Sequence, residues 1–324
     1  MSYNKYINNF ANNAEYEAYI NGSVAEVPNT ALIDDTGKMI YTKILPNNYV
    51  MFGTTTGTQD FKIGSTSVTS KADCIQIHVA VEDESGVNKM YVSPEDVLKI
   101  PKYFYSSYNG FGSTEGKKIL SIKKWKIDTS KVTNMESMFL GSTSLTSLDL
   151  SSFDTSQVTS MDGMFDSCSS LTSLELSSFN TSKVTSISSM FNMCSSLTSI
   201  DLSSFDTSQV TSFNRMFYFC TSLTSLDLSS FVSNKLTNMS YMFTGCSKLK
   251  KLYLSSSFFN STSLTTYEFS ELSNWTDTET LAIFIEAIIA HNGTGKTVQL
   301  SSGTKNALTT EQKTAITNAG WTIA

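Results

Sequence analysis

Hydrophobic and polar positions between Ile119 and Phe258 repeat with a period of 26 residues. A Met-Phe pair recurs five times at this step, a leucine recurs with it, and a cysteine holds one place in four copies, with Ser142 in the first. The columns are Met138-Phe139, Met164-Phe165, Met190-Phe191, Met216-Phe217 and Met242-Phe243; Leu145, Leu171, Leu197, Leu223 and Leu249; and Cys168, Cys194, Cys220 and Cys246. An uninterrupted register is typical of a solenoid, because each coil buries its apolar face only against its neighbours. The pattern predicts about five stacked 26-residue coils.

The stretch from Leu171 to Cys194, one period of the repeat, shows which elements one coil should contain. Leu171, Leu174 and Leu176 have L-x-x-L-x-L spacing, which predicts a short strand with its leucines facing inward. Between Val184 and Cys194, apolar residues recur every three or four positions, which is helical spacing. We therefore expect an α/β solenoid with one short strand and one short helix in each coil.

The Met, Phe and Cys columns are expected to form the core, since methionine and cysteine fill irregular gaps between larger side chains. Cys74 lies outside the repeat, and the other cysteines occur once per coil, so the paired spacing of a disulfide framework is absent from the sequence. Reduced core thiols are the main expectation. The alternative is a disulfide between successive cysteines, because coils about 4.8 Å apart would permit one.

The coil sequence resembles BspA-like leucine-rich repeats, which are also described as bacterial surface-protein repeats. The resemblance rests on strings such as "VTSMDGMFDSCSSLTSLELSSF", Val158 to Phe179, and extends from Ile119 to Phe258. It implies a leucine-rich-repeat fold and a binding or display module on the surfaces of bacteria, protists or phages. It implies no catalysis and names no ligand.

Segments on either side of the repeat are expected to cover its ends, because an uncovered coil would leave its apolar face and strand edge in water. Residues 45–118 predict a small β-rich domain, with strands at "CIQIHVAVE" and "VNKMYVS" and a short helix at "SPEDVLKI" capped by Ser93. Residues 259–324 predict an α/β cap. Its two helices should begin at the capping boxes Thr276/Glu279 and Thr309/Gln312, and the second should stop at Gly320.

Residues 1–44 form a segment too short to bury its own apolar side chains. We interpret it as an attachment segment that contacts a partner subunit, and the alternative is an ordinary strand pair of the next domain. The predicted docking residues are Tyr6, Phe10, Tyr16, Tyr19 and Ile20. The stretch from Phe10 to Lys43 is similar to leaders of structural proteins of tailed gut phages, including crAss-like phages. That resemblance implies docking into a virus particle. The residues themselves predict a short amphipathic helix at 11–20 and a turn at 35–37 between strand-like runs.

Composition excludes several classes of function. With 40% apolar and 16% charged residues, the chain is expected to fold rather than to be disordered. A net charge of -6 argues against nucleic-acid binding, which depends on clustered Lys and Arg. The sequence contains no apolar run of about 18 residues, the length that a membrane span requires. Its first residues lack the pattern of a secretory signal. We therefore expect surface-type repeats that reach a surface in a virion assembled in the host cytoplasm.

One motif suggests nucleotide chemistry, but its context does not. "AHNGTGKT", Ala290 to Thr297, matches a relaxed phosphate loop with Ala in place of the first Gly. A phosphate loop follows a strand and opens a helix, whereas here an apolar helix is predicted before it and a strand after it. His78 and His291 lack the spacing of metal ligands or of a nucleophile's base. We predict no catalytic residue, no cofactor and no metal.

The candidate interaction surface is the outward-facing column of the leucine strands. Four stacked carboxylates are expected either to be solvated or to hold a cation such as calcium, and the hydroxyl columns beside them are Thr and Ser. The column consists of Asp149, Glu175, Asp201, Asp227 and Tyr253.

The sequence thus predicts a non-enzymatic virion structural protein, a head, collar or tail decoration or a fibre. Its residues 1–44 would bind other virion proteins, and its repeat would contact a host surface protein or glycan. The alternative is a bacterial cell-surface adhesin that binds a host protein or glycan. Neither hypothesis names the ligand, and a homo-oligomer fits both.

Overall fold

The computed structural model describes residues 32–33, 39–41, 50–55, 61–64, 74–80, 88–92, 98–99, 119–122, 127–270, 272 and 278–324, and before residue 129 only the strand backbone. The strands are β1 Leu32–Ile33, β2 Met39–Tyr41, β3 Val50–Thr55, β4 Phe61–Gly64, β5 Cys74–Ala80, β6 Asn88–Val92, β7 Leu98–Lys99, β8 Ile119–Ile122, β9 Ile127–Asp128, β10 Ser147–Leu148, β11 Ser225–Leu228, β12 Lys251–Leu254, β13 Thr266–Phe269, β14 Lys296–Leu300 and β15 Trp321–Ile323. The α-helices of the described residues are α1 Thr278–Ile289, α2 Ser302–Ala307 and α3 Thr310–Asn318.

Strands β3 to β6, which precede the repeat, form one sheet with strands β8 and β10 of the repeat. Its order is β10-β8-β3-β6-β5-β4. The antiparallel pair β5 and β6 confirms the two strands predicted at "CIQIHVAVE" and "VNKMYVS". Strand β8 pairs with β3 on one side and, in parallel, with β10 on the other. Ser121 of β8 lies opposite Ser147 of β10, so the 26-residue register begins inside this sheet.

Two shorter strand pairs involve the same part of the chain. Strands β1 and β2 pair antiparallel in a separate sheet, on either side of the turn predicted at 35–37. Strand β7 pairs in parallel with β9, so the helix predicted at "SPEDVLKI" is wrong at Leu98–Lys99. Its predicted cap Ser93, and the helix predicted at 11–20, lie outside the described residues.

The helix predicted in each coil is wrong, because residues 129–255 consist of turns, bridges and short strands. In the third coil, Met190 N donates to Ile187 O and Cys194 N to Phe191 O, both across three residues. Ser189 and Met193 have positive φ angles of 56° and 55°, which no α-helix contains. The amides of Ser189, Phe191 and Met193 instead donate to carbonyls of the next coil at 2.7–3.0 Å. Successive turns keep the three-to-four spacing while directing backbone hydrogen bonds between coils.

The predicted strand of each coil is present in only part of the described repeat. The first, fourth and fifth leucine segments contain β10, β11 and β12, and β11 and β12 pair in parallel. In the second and third coils the leucine segments form no named strand, and the pairing weakens to Thr198 N donating to Thr172 O at 3.3 Å. A separate column of parallel bridges links the coils through Asn134, Ser160, Ser186, Ser212 and Asn238.

The three predicted columns lie in the core of the coils, together with the buried leucines and valines of each coil. The phenylalanine rings stack from Phe139 to Phe243 with centroids 5.5–6.2 Å apart and planes within 14° of parallel. Each repeat cysteine is free and buried, which confirms the expectation of reduced core thiols. The thiols donate to phenylalanine carbonyls at 3.0–3.2 Å, as Cys194 does to Phe165 O. Burial raises the pKa of Cys168 and that of Cys246 to about 12.

A column of buried threonines joins neighbouring coils through their hydroxyl groups. Thr181 is 2% exposed, and its Oγ1 donates to Asp206 O at 3.0 Å and accepts from Asp206 N at 2.8 Å. The same reciprocal pair of bonds is made by Thr129, Thr155 and Thr207. A buried hydroxyl that satisfies both backbone groups of a residue fixes one coil against the next.

The end of the stack is covered by a three-stranded parallel sheet, β13-β14-β15, and the helices α1 to α3. Phe269 of β13 stacks on Phe243 at 5.9 Å and continues the ring column by one further step. The capping box at Thr309 and Gln312 is confirmed, and Gly320 follows the helix with a φ of 89°. The predicted cap Thr276 lies outside the described residues.

Candidate interaction surfaces

The predicted acidic column lies on the leucine side of the coils. Glu175, Asp201 and Asp227 are exposed, Asp149 is partly exposed, and Tyr253 is half-buried. Strand pairing places Asp227 directly opposite Tyr253. The structure therefore brings these residues into one outward-facing row.

Each carboxylate of this row also closes the turn that follows its strand. Asp149, Glu175, Asp201 and Asp227 accept a hydrogen bond from the backbone amide of the serine two residues later, at 2.8–2.9 Å. Hydrogen bonds from Ser177 lower the pKa of Glu175, and those from Ser203 lower the pKa of Asp201. A carboxylate that holds an adjacent amide satisfies local backbone, so the row has a structural role in the first four coils.

Docking residues, metal ligands and membrane spans are three further features that the sequence raises. The docking residues Tyr6, Phe10, Tyr16, Tyr19 and Ile20 lie outside the described residues. Among the residues that are described, no cluster of three or more His, Cys, Asp or Glu is placed to hold a metal ion. In the same part of the chain, no helix has the length and apolar character that crossing a membrane requires.

Lys296 of the phosphate-loop-like string lies in the setting that the sequence predicted, after helix α1 and at the start of strand β14. Its Nζ donates to Ser261 O at 2.7 Å and to Phe259 O at 3.2 Å. The ammonium also lies 5.8 Å from the ring centroids of Tyr267 and Trp321. Lys296 thus joins strand β14 to the segment that precedes β13, within the C-terminal cap.

A second surface, which the sequence interpretation missed, follows the Met-Phe side of the coils. Two positions in each coil have positive φ, and they form the columns Ser137, Gly163, Ser189, Arg215 and Tyr241, and Gly141, Ser167, Met193, Phe219 and Gly245. Left-handed backbone at a bulky residue costs about 1–3 kcal/mol, and glycine and small polar residues relieve that strain. The first two coils follow this rule, whereas each later coil carries a large side chain at one or both of the positions.

These large side chains form a cluster that we call the aromatic patch, defined as Met193, Arg215, Tyr218, Phe219 and Tyr241. Met193 is 44% exposed, Phe219 42% and Tyr241 49%. The Tyr218 and Phe219 rings lie 4.6 Å apart. A Cβ atom on Gly245 would lie 2.8 Å from the Phe219 ring, so this glycine leaves room for the ring against the next coil.

Arg215 lies between the two tyrosines of the patch. Its guanidinium carbon is 5.6 Å from the Tyr218 ring centroid and 5.5 Å from that of Tyr241. Within the described residues the guanidinium has these ring contacts and neither a carboxylate partner nor a side-chain hydrogen bond. Stacking holds the planar cation in place while its N–H donors remain available.

A sequence signal for this patch existed. Arg215 is the only arginine in the chain. Aligning the coils also shows Arg215 and Tyr241 where earlier coils have Ser137, Gly163 and Ser189. Departures from a repeat at outward-facing positions indicate residues that the stacked core does not require.

Comparisons with known proteins identify the repeat but no function. The family described as "Mycoplasma protein of unknown function, DUF285" matches residues 106–200 and 172–278. The overlapping matches run from residue 106 to residue 278, more than half of the 324-residue chain. This domain is associated with BspA-like repeat proteins, in keeping with the repeat resemblance at the family level. No curated protein and no solved structure matches the chain.

Proposed function

The chain belongs to the DUF285 family, and we propose that it is a non-enzymatic structural protein of a phage particle. In this proposal the coils form a leucine-rich-repeat solenoid that is displayed as a decoration or fibre and contacts the host surface. Residues 1–44 would dock onto other virion proteins.

The observation that carries the display role is the stacking of identical coils in one register. Backbone bridges, threonine hydroxyls and phenylalanine rings all join residues about 26 positions apart. Apolar side chains are used inside the stack, so outward-facing residues whose side chains close no turn are free to vary without loss of core packing. Such a scaffold supports a surface whose residues are chosen for a partner. The particle assignment is supported by the similarity of Phe10 to Lys43 to phage leaders.

The second candidate is a bacterial cell-surface adhesin. The resemblance of the coils to bacterial surface-protein repeats favours it, and the family description names Mycoplasma. Both candidates assign the repeat to recognition, and they differ in what carries it to the surface.

Fractionation of a culture that produces the protein distinguishes these candidates. An antibody raised against the described repeat residues, combined with peptide mass spectrometry, would quantify the chain in sedimented particles, in the cell envelope and in the cytosol. Accumulation in particles at constant stoichiometry is the expected result. Accumulation in the envelope would replace the phage assignment with the adhesin, and confinement to the cytosol would refute both.

A further inference from the structure

We propose that the aromatic patch binds a carbohydrate that carries one carboxylate per recognised unit, such as a sialic acid or a uronic acid. The inference deepens the proposed function, on which it rests, by naming the ligand class of the displayed surface. It is carried by the strained backbone of the patch, the stacked arginine and the size of the exposed rings.

The first step concerns the conformational strain of the left-handed backbone in the patch. Met193, Arg215, Phe219 and Tyr241 have φ angles of 53–60° and are exposed. Each left-handed bulky residue costs about 1–3 kcal/mol, and because Met193, Phe219 and Tyr241 remain more than 40% exposed, burial offsets only part of this cost. Ser137, Ser167 and Ser189 hold equivalent positions in other coils, so stability does not require the large side chains. A binding role accounts for their presence.

The second step concerns charge. Arg215 is held between Tyr218 and Tyr241, and the described residues offer its guanidinium no carboxylate. A guanidinium fork matches the two oxygens of a carboxylate, and charge-assisted pairs are roughly twice as strong as neutral hydrogen bonds. The patch as defined contains one cation, whereas polyanions such as nucleic acids are bound by clusters of Lys and Arg. One carboxylate per recognised unit therefore fits best.

The third step concerns size and shape. Met193, Phe219 and Tyr241 are each a little less than half exposed, so together they present roughly 300 Å². A standard protein interface buries about 800 Å² on each partner, so the patch is small for a protein. The C–H groups of a sugar ring carry a partial positive charge and pack against the negative face of an aromatic ring. A saccharide of two or three rings matches this extent.

Isothermal titration of the purified full-length chain tests the inference. The probes are 3′-sialyllactose, trigalacturonate, neutral lactose, and a pentapeptide of alternating glutamate and tyrosine. We expect saturable binding of at least one acidic sugar, with lactose about tenfold weaker or more because it lacks the carboxylate. The two acidic probes distinguish a sialic acid from a uronic acid.

The repeat itself supplies tolerated substitutions. Arg215→Ser and Phe219→Ser install the residues that other coils carry at Ser189 and Ser167, so the stack should fold unchanged by circular dichroism. Each should weaken binding of the acidic sugar by about tenfold or more. The control Leu140→Asp changes another exposed apolar residue, 37% exposed in the first coil, to the type found at Asp166. It should leave affinity within about twofold.

Three results would overturn the inference. They are no binding of either acidic sugar up to about 10 mM, binding unaffected by Arg215→Ser, and an Arg215-dependent preference for the peptide. None of them bears on whether the chain is found in particles, so the proposed function can stand or fall separately.

Discussion

Replacing Thr181 by valine should show how strongly the threonine column joins the coils. Valine has nearly the shape of threonine but lacks the hydroxyl, so the substitution removes both hydrogen bonds to Asp206 without opening a cavity. Each backbone group that loses its partner away from water costs about 1–3 kcal/mol. Asp206 is exposed, so water can reach part of its backbone. We therefore expect Thr181→Val to lower the free energy of unfolding by about 2–4 kcal/mol.

Two matched variants separate the hydroxyl from the methyl group. Thr181→Ser keeps the hydroxyl and should lose about 1 kcal/mol for the buried methyl group. Thr172→Val changes an exposed threonine on the leucine side and should stay within about 0.5 kcal/mol of the parent chain. Urea unfolding followed by far-ultraviolet circular dichroism gives these values, provided that the slope against urea is the same for each variant. Equal losses for Thr181→Val and Thr181→Ser would show that the hydroxyl does not link the coils.

Three further perturbations follow from the core and the cap. Leu197→Asp places a carboxylate in a fully buried site and should abolish the cooperative melt of the repeat, whereas an unchanged melt would contradict the stacked core. Burial raises the pKa of Cys168 from 9.0 to about 12, so the contribution of this thiol to stability is complete below pH 9 and is lost as the pH rises toward 12. Relative to Cys168→Ser, the free energy of unfolding of the parent chain should fall by about 1.4 kcal/mol between about pH 8 and pH 10. Parallel profiles of stability against pH for the two chains would refute this. Lys296→Met removes two hydrogen bonds to carbonyls and should destabilise the cap by about 1–2 kcal/mol, and the parent chain should show no saturable ATP binding in titration.

The buried columns could be predicted from the sequence because a residue that recurs every 26 positions has the same environment in each coil. The helix could not, since apolar residues three or four apart are also produced by consecutive turns. What distinguishes the turns is a pair of left-handed residues four positions apart in each coil, for which Ser137, Gly141 and Gly163 are the sequence signal. Serine is common throughout the repeat, so that signal was hidden by composition.

The acidic row, like the buried columns, could be predicted from the sequence, whereas the aromatic patch, like the turns, was missed. The row could be read directly, because the residue between two inward leucines must face outward. The patch depends on backbone conformation, since Arg215 and Phe219 are exposed by a left-handed turn rather than by strand alternation. Its sequence signals are the lone arginine and the departure of Arg215 and Tyr241 from the Ser and Gly of earlier coils.

Because Phe269 continues the ring column, the cap packs against a phenylalanine ring that every coil carries, and not against a feature of one particular coil. The second to fourth coils each present the same phenylalanine ring, threonine hydroxyl and cysteine thiol to a neighbour, so unequal recombination between copies of this 26-residue unit creates no new type of contact. Gene segments could be duplicated or lost in these units while the chain still folds. The number of coils would then change without altering the distance between the aromatic patch and the cap, because the patch lies in the last three coils.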